Sequence, residues 1–266
     1  MSARPEPTLL HERELMRTRG IRWLAAVDEV GRGALGGPVS VGVVLISPDT
    51  ESAPGGVRDS KLLSAAARER LVPALLAWAP GWAVGHASAA EIDLVGIIGA
   101  LRLAGERAVA SLPHMPDHVL LDGSHDWLTR PAPSLFDGAH ESGDPRALPT
   151  STLTVPVNVP VSVLVKADMS CSSVAAASVL AKTTRDAIMV ELAGVHPAFG
   201  WEQNKGYASP DHLDALRRLG PCEQHRRSWA IPAGPQGAEL REDEPRAVIV
   251  GPGGSGLGSA GASEGS

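Results

Sequence analysis

The chain has 266 residues, of which 43% are hydrophobic and 20% are charged, and its formal net charge is −6 at pH 7. This composition is typical of a soluble globular protein, and the absence of any apolar run of about 18 residues excludes a membrane span. Residues 1–19 carry charges throughout and lack the apolar segment of a signal peptide, so we expect a cytoplasmic protein. Two cysteines, Cys171 and Cys222, are no disulfide framework. They favour reduced thiols, although a single disulfide between them stays open.

The negative net charge excludes a uniformly basic surface of the kind that binds nucleic acid by charge alone. Residues 233–266 hold five acids and two arginines, a net −3 of the chain's −6. The same segment is rich in Gly and Ser, so we expect a disordered acidic tail. A nucleic-acid partner would therefore be attracted by a local basic cleft and by bound metal ions.

The distribution of apolar residues predicts an α/β fold, in which helices and strands alternate after an initial run of strands. Predicted strands cover residues 21–27, 39–46, 82–87, 118–121 and 161–165, and predicted helices cover residues 9–16, 64–78, 89–110, 172–192 and 209–219, with Ser64 as the N-cap of the second helix. A glycine-rich turn at residues 34–38 favours an antiparallel hairpin between the first two strands. Residues 124–160 are rich in proline and lack periodicity, so we expect a long surface loop.

Four carboxylates follow the apolar runs of predicted strands: Asp28 and Glu29 after the first, Asp122 after the fourth and Asp168 after the fifth. The carboxyl ends of neighbouring strands are where open α/β sheets build their sites. Hard oxygen ligands without a nearby Cys or His cluster favour Mg²⁺ or Mn²⁺ over zinc. Two such ions about 4 Å apart can activate a water and stabilise the leaving oxygen when a phosphodiester is cleaved. Any one of these acids alone is also typical of a cap, a turn or a surface charge.

Asp28 and Glu29 pose a geometric problem because they are adjacent in sequence. Consecutive residues of a flat strand point to opposite faces of the sheet. Both side chains can face one site only if the strand bends, which Gly31 would permit. The alternative is that Glu29 contributes partly through its backbone carbonyl.

The remaining candidate residues carry weaker signals. The glycine-rich turn at residues 34–38 fits a backbone that approaches a ligand closely. Gly31-Arg32-Gly33 is a weak signal for a phosphate loop, and composition alone favours an ordinary hairpin turn there. Lys61 and Lys166 stand next to acids in sequence, where surface salt bridges of small energy are the simple interpretation. Tyr207, the only tyrosine, lies in a polar glycine loop, so it either packs on the core or stacks on a sugar or base.

These residues lie in segments that occur, in the same order, in a known family. The segments are Val27-Asp28-Glu29-Val30-Gly31-Arg32-Gly33, Asp59-Ser60-Lys61, Ala90-Glu91-Ile92-Asp93, Leu121-Asp122-Gly123, Lys166-Ala167-Asp168, Ala175-Ala176-Ala177-Ser178-Val179-Leu180-Ala181-Lys182 with Arg185-Asp186, Lys205-Gly206-Tyr207 and His225-Arg226-Arg227-Ser228-Trp229. Each is weak alone, but together they are very specific and span residues 20–232. On these segments the chain resembles ribonuclease HII, the type 2 ribonuclease H.

The resemblance implies a ribonuclease H-like fold with a mixed five-stranded sheet flanked by helices, plus a C-terminal helical segment. The catalytic domain would cover residues 20–232, after a polar lead-in at residues 1–19 and before the tail at residues 233–266. The implied activity is metal-dependent endonucleolytic cleavage of the RNA strand in RNA–DNA hybrids. It includes incision 5′ of single ribonucleotides embedded in duplex DNA, which leaves 5′-phosphate and 3′-hydroxyl ends.

The resemblance also implies roles for individual residues. The metal-binding and catalytic acids, which would hold two Mn²⁺ or Mg²⁺ ions, are Asp28, Glu29, Asp122 and Asp168. Gly31, Arg32 and Gly33 would read the 2′-hydroxyl of the ribonucleotide through backbone groups, and Tyr207 would pack against the following deoxyribose. Lys61 and Lys182 would contact phosphates. The implied partners are RNA–DNA hybrids and ribonucleotide-containing duplex DNA, with no membrane, and we expect a monomer.

Some features depart from the family pattern, and two alternatives stand beside it. Leu62 follows Lys61 where the family often has a second lysine, the loop between Asp122 and Lys166 is longer than expected, and the tail lies outside the resemblance. One alternative is a protein that binds in the same cleft without turnover, which the complete set of acids disfavours. The other is the related ribonuclease HIII type, whose extra N-terminal domain has no room before Ile21.

Overall fold

The computed structural model describes residues 6–130, 157–232 and 234, and within them one mixed sheet carries the fold. The strands are β1 (Leu24–Val30), β2 (Val39–Ile46), β3 (Gly81–Ala87), β4 (His118–Asp122) and β5 (Val161–Leu164). The helices are α1 (Leu10–Arg19), α2 (Ala65–Trp78), α3 (Ala89–Ala110), α4 (Ser172–Val195), α5 (Trp201–Asn204) and α6 (Pro210–Leu219). Single 3-10 turns at Ser60–Leu62, Ala167–Met169 and Pro197–Phe199 join these elements.

The five described strands lie in the order β3-β2-β1-β4-β5. Strand β1 pairs antiparallel with β2 and parallel with β4, while β2–β3 is antiparallel and β4–β5 is parallel. The predicted mixed five-stranded sheet and the predicted β1–β2 hairpin are therefore confirmed. Because β1 is the central strand, its carboxyl end adjoins the carboxyl end of β4, where the candidate acids lie.

Helices cover both faces of the sheet, and the side chains of β1 alternate between them. Ala25 and Val27 pack into the core shared with α3, whereas Leu24 and Ala26 pack into the core shared with α4. Since this alternation continues along a regular strand, Asp28 belongs to the α4 face and Glu29 to the α3 face.

Helix α4 approaches the sheet at Gly42 of β2, the residue that pairs with Asp28. A Cβ added at Gly42 would overlap the backbone carbonyl of Ala177. Three small residues of α4 are fully buried at this contact: Ala175, Ala176 and Ala177. Their small side chains permit the close approach. The close approach brings the polar part of α4 near the acids of β1.

We expect Gly42→Ala to destabilise the protein by about 2 kcal/mol, because the added methyl group meets immobile backbone. Gly194→Ala is the matched control, since Gly194 lies near the end of α4 with no atom within 4 Å of an added Cβ. That change should stabilise the helix by up to about 1 kcal/mol. Urea unfolding checks both variants, and an unchanged midpoint for Gly42→Ala would contradict the packing described.

Several predicted boundaries differ from the structure. The first strand is Leu24–Val30 rather than residues 21–27, so Asp28 and Glu29 lie inside the strand and not beyond its end. Helix α1 ends at Arg19 and α4 at Val195, both later than predicted. Helix α3 has the predicted bounds but is interrupted at Gly96, with φ 71° and ψ 168°. The predicted N-cap of α2 is confirmed, since the Ser64 hydroxyl accepts a hydrogen bond from the Ala67 N–H.

Most of the predicted surface loop and nearly all of the predicted tail, residues 131–156, 233 and 235–266, lie outside the described residues. Cys171 and Cys222 are both free thiols, which confirms the expectation of reduced cysteines. In the described ranges, no helix has both the length and the apolar character needed to span a membrane.

Candidate active site

Three of the four predicted acids come together where β1, β4 and the turn after β5 meet. The β1–β4 register aligns Val27 with Leu121, which places Asp28 beside Asp122 at the end of β4. A carboxylate oxygen of Asp122 accepts a hydrogen bond of 2.7 Å from the backbone N–H of Ala167. Asp168 follows Ala167 in the 3-10 turn that leads into α4, so it lies close to Asp122. Segments far apart in sequence thus converge on one site.

The electrostatics of these acids show how strongly they interact. Burial, together with the charges of Glu29, Asp122 and Asp168, raises the pKa of Asp28 to about 8, although a hydrogen bond with Ser178 opposes the shift. Burial also raises the pKa of Asp168 to about 6, with Asp122 adding to the effect. Carboxylates in such surroundings are stabilised in ionised form when a cation lies among them.

Glu29 lies on the other face of the sheet, as the alternation of β1 requires. One of its carboxylate oxygens is 3.8 Å from the guanidinium of Arg32, and burial raises the pKa of Glu29. A cleft of about 360 Å³ is lined by Glu29, Arg32 and Asp122 together with the segment from Gly123 to Trp127. Asp122, at the strand end, therefore lies next to acids on both faces.

The bend that would turn Asp28 and Glu29 to one face is not present. Strand β1 stays in register with β2 through Val30, which pairs with Ser40. Glu29 reaches the site from the α3 side through the cleft that it shares with Asp122. The alternative contribution from the Glu29 carbonyl stays a prediction.

The glycine turn, residues 31–38 between β1 and β2, is held by two buried arginines. The guanidinium of Arg226 donates hydrogen bonds to the carbonyls of Gly31 (2.6 Å), Arg32 (2.9 Å) and Gly37 (3.3 Å). The guanidinium of Arg185 donates to the carbonyls of Pro38 (2.8 Å) and Gly36 (3.2 Å). The turn closes the β1–β2 hairpin, and the hydrogen bonds from the two arginines fix its conformation in addition.

Gly31 has a φ of 84°, and a Cβ there would overlap the side chain of Arg185. The position therefore needs glycine both for its backbone conformation and for the close approach of the arginine. Gly31 therefore lies against a protein side chain, which is a different contact from the predicted close approach of the glycine backbone to a ligand. The approach to a substrate stays a prediction.

Tyr207 lies beside this turn and is exposed, so the alternative in which it packs into the core is wrong. Its ring centroid is 5.9 Å from the Lys182 ammonium and 5.5 Å from the Arg185 guanidinium. The carbonyl of the preceding residue, Gly206, accepts hydrogen bonds from the N–H groups of Leu35 and Gly36. The tyrosine loop and the glycine turn are therefore joined into one surface.

The two predicted phosphate-binding lysines occupy different places. Lys61 is well exposed, and its ammonium lies 3.9 Å from a carboxylate oxygen of Asp168. Lys182 forms an ion pair of 2.6 Å with Asp186 on α4, next to Tyr207. One lysine thus borders the acids and the other borders the tyrosine.

Most of the chain matches one known protein family. The family model described as Ribonuclease HII matches residues 25–231. The chain belongs to the ribonuclease HII family. Relatives named ribonuclease HII from Streptomyces coelicolor and Streptomyces avermitilis are 43% and 42% identical over 237 residues, which are 89% of this chain and 89% of each relative. The chain is accordingly a metal-dependent ribonuclease, and membership implies cleavage of the RNA strand of RNA–DNA hybrids.

Solved structures agree with the ribonuclease H fold. Ribonuclease H2 from Pyrococcus horikoshii OT3 is 26% identical, with a TM-score of 0.56 over 82% of this chain and 98% of that one. Bst-RNase HIII in complex with Mn²⁺ is 21% identical, with a TM-score of 0.52 over 79% of this chain and 67% of that one. The second likeness concerns the fold alone.

Asp28, Glu29, Asp122 and Asp168 are called the acid cluster below. These residues fit the divalent cations that the ribonuclease HII family implies. All four donors are carboxylates, and one oxygen of Glu29 is buried without a hydrogen-bond partner. Within the described ranges, no three of these carboxylates each place an oxygen within 4.8 Å of the others. Some of the side chains must therefore rotate before three of them can share one ion.

Arg185 and Arg226 were quoted above only as members of family segments, and their hydrogen bonds to the turn after β1 were not predicted. Both side chains are fully buried, and their partners are backbone carbonyls rather than acids. The available signal was an arginine inside the otherwise small and apolar face of the helix at residues 172–192, together with the basic pair at residues 226–227.

Proposed function

We propose that this member of the ribonuclease HII family incises 5′ of single ribonucleotides embedded in duplex DNA, in addition to cleaving RNA–DNA hybrids, and leaves 5′-phosphate and 3′-hydroxyl ends. The observation that carries the proposal is the position of the acid cluster beside a rigid glycine turn and an exposed tyrosine. Such a site can hydrolyse a phosphodiester and recognise the 2′-hydroxyl of one adjacent ribose.

In this proposal, Asp28, Glu29, Asp122 and Asp168 hold two divalent cations, Mn²⁺ or Mg²⁺. The all-oxygen donor set, the raised pKa values of Asp28 and Asp168 and the buried orphan oxygen of Glu29 support it. The relative solved with Mn²⁺ supports the same class of ion. Cations bound there would activate the attacking water and stabilise the leaving oxygen.

The backbone of Gly31, Arg32 and Gly33 reads the 2′-hydroxyl in this proposal. Two of the three carbonyls are already engaged by Arg226, so the turn presents its remaining groups in one fixed arrangement. A 2′-hydroxyl both donates and accepts hydrogen bonds, and it is the group that separates RNA from DNA at a single nucleotide. A preformed turn suits this task because no ordering is needed on binding.

In this proposal Lys61, beside Asp168, and Lys182, beside Tyr207, contact the phosphates. Because the chain as a whole is acidic, these lysines and the bound cations supply the local attraction for the nucleic acid. Leu62 is exposed where a second lysine was expected, so one contact fewer is available on that side. We propose that the enzyme works as a monomer, which its native mass in solution checks.

Tyr207→Ala should lower incision at a single ribonucleotide by roughly tenfold, the value of one lost stacking contact, and should lower hybrid cleavage much less. The ring is exposed, with its centroid 5.9 Å from the Lys182 ammonium and 5.5 Å from the Arg185 guanidinium, and in this proposal it packs against the deoxyribose after the ribonucleotide. Tyr207→Phe keeps the ring and is the control that should retain the preference. Parallel assays on the two substrates measure the effect, and equal losses would remove Tyr207 from substrate reading.

The direct test of the proposed function uses a labelled DNA duplex that contains one ribonucleotide, incubated with and without Mn²⁺. We expect a single nick on the 5′ side of the ribonucleotide with the ion and no nick with a chelator. Nicking only in long hybrids would contradict the proposed specificity. Binding of the duplex without a nick under any metal condition would identify a binding protein.

A further inference from the structure

A second cluster of possible metal ligands lies at the far end of α4. His196, which caps the carboxyl end of α4, lies close to Cys222 and Glu223 from the loop that follows α6. One ligand atom from each of the three residues lies within 4.8 Å of the other two. The imidazole Nε2 of His196 is 3.0 Å from a carboxylate oxygen of Glu223.

The donors of this cluster differ in kind from those of the acid cluster. A thiol, an imidazole and a carboxylate together suit a borderline-soft ion, whereas four carboxylates suit Mg²⁺ or Mn²⁺. Zinc is bound by these three ligand types, and a site with three protein ligands leaves the fourth position open. The two clusters therefore select different metals by their chemistry.

The surroundings also favour a cation at this position. The carboxyl end of a helix carries a partial negative charge from its free carbonyls, and α4 is 24 residues long. The ring of His196 packs edge-on against Trp201 at 5.4 Å, which restricts its orientation. A fixed imidazole next to a negative helix end and a carboxylate is a suitable start for a metal site.

We propose that His196, Cys222 and Glu223 form a second metal site that binds Zn²⁺. In the absence of the ion, His196 pairs with Glu223 and the Cys222 sulfur lies 3.2 Å from Nδ1 of His225. Binding releases the thiol proton to solvent, and the resulting thiolate becomes a ligand.

A metal at this site would brace the loop that supports the glycine turn. The carbonyl of Gln224, next to Glu223, accepts a hydrogen bond from the N–H of Gly37. Arg226, two residues further on, holds the carbonyls of Gly31 and Arg32. This structural consequence rests on the proposed role of the turn in substrate reading, but the binding of Zn²⁺ does not.

Titration with Co²⁺ in excess Mg²⁺ tests the site, because a thiolate ligand produces a charge-transfer absorption that carboxylate ligands do not. Cys171 is fully buried with its pKa raised to about 12 by that burial, so the band reports Cys222. We expect the band in the wild-type protein and its loss when Zn²⁺ displaces Co²⁺. Cys222→Ser should abolish it, and His196→Gln and Glu223→Gln should each weaken Co²⁺ binding at least tenfold.

Gln224→Ala is the matched control in the same loop and should bind Co²⁺ like the wild type, since its backbone carbonyl is unchanged. Glu223 is well exposed, so Glu223→Gln keeps the test valid even if another variant folds poorly. Zn²⁺ at about one hundred times its Kd should raise Tm by roughly 5 to 10 °C, and Cys222→Ser should lose this rise.

Two results would overturn the proposed zinc site. One is the absence of a charge-transfer band in the wild-type protein. The other is a band whose affinity is unchanged in both His196→Gln and Glu223→Gln, which would show a cysteine that binds metal alone. Nicking in Mg²⁺ is measured separately, so failure of the zinc site and failure of the nuclease assignment are distinguishable.

Discussion

Asp122→Asn should leave the fold intact and lower cleavage of a duplex with one ribonucleotide by on the order of 10³-fold. Asp122 lies beside Asp28 at the end of β4 and lines the cleft of Glu29, so its charge is central to cation binding. The amide oxygen of asparagine can still accept the hydrogen bond from Ala167, which preserves the local structure. Turnover in Mg²⁺ and in Mn²⁺, together with Tm, measures both parts of the expectation.

Asp117→Asn is the matched control for this substitution. Asp117 lies just before the other end of β4, where its carboxylate accepts hydrogen bonds from the N–H groups of Arg22 and Trp23. An asparagine can accept the same bonds, and no member of the acid cluster is nearby. Near-normal turnover in Asp122→Asn, or an equal loss in Asp117→Asn, would count against the catalytic assignment.

Arg226→Met should destabilise the protein by about 3 kcal/mol and raise KM for the ribonucleotide duplex. The change removes the guanidinium donor from the carbonyls of Gly31, Arg32 and Gly37, and Gly31 keeps the hydrogen bond from the Ala34 N–H. Burial lowers the pKa of Arg226 to about 9, so loss of a buried charge offsets part of this cost. Urea unfolding and steady-state kinetics on the duplex measure the two effects.

Arg227→Met is the matched control, because Arg227 is exposed and its contact to Asp93 uses the backbone N–H. Its stability should stay within about 0.5 kcal/mol of the wild type. Arg226→Lys keeps the charge but not the fork of donors, so we expect it to recover part of the stability and less of the substrate affinity. An unchanged KM in a folded Arg226→Met protein would show that the turn does not need this support.

Much of the fold was predictable because its apolar runs are long and its turn signals are clear. Strand β2 and helices α2 and α3 have the predicted bounds, and the small residues of α4 lie against the sheet as expected. Strand β1 was misplaced by three residues because its limits depend on partners distant in sequence. Asp117 holds the backbone before Leu24, and pairing with Ser40 extends the strand to Val30.

The acids of the candidate site were predictable because each follows an apolar run, but their arrangement was not. Whether the side chains of Asp28 and Glu29 lie on the same face of the sheet depends on the regularity of the β1–β2 pairing. The local sequence does not encode this regularity. The roles of Arg185 and Arg226 were hidden for a similar reason. Their partners in the turn lie between 147 and 195 residues away in sequence, so only the folded chain shows what these arginines hold.

We propose that carboxylates from three parts of the chain hold divalent cations at one edge of the sheet. Anomalous diffraction from crystals soaked in Mn²⁺ locates the bound ions. We expect anomalous peaks bounded by Asp28, Glu29, Asp122 and Asp168. Ordered crystals in which Mn²⁺ occupies other positions and leaves these acids without an ion would contradict it.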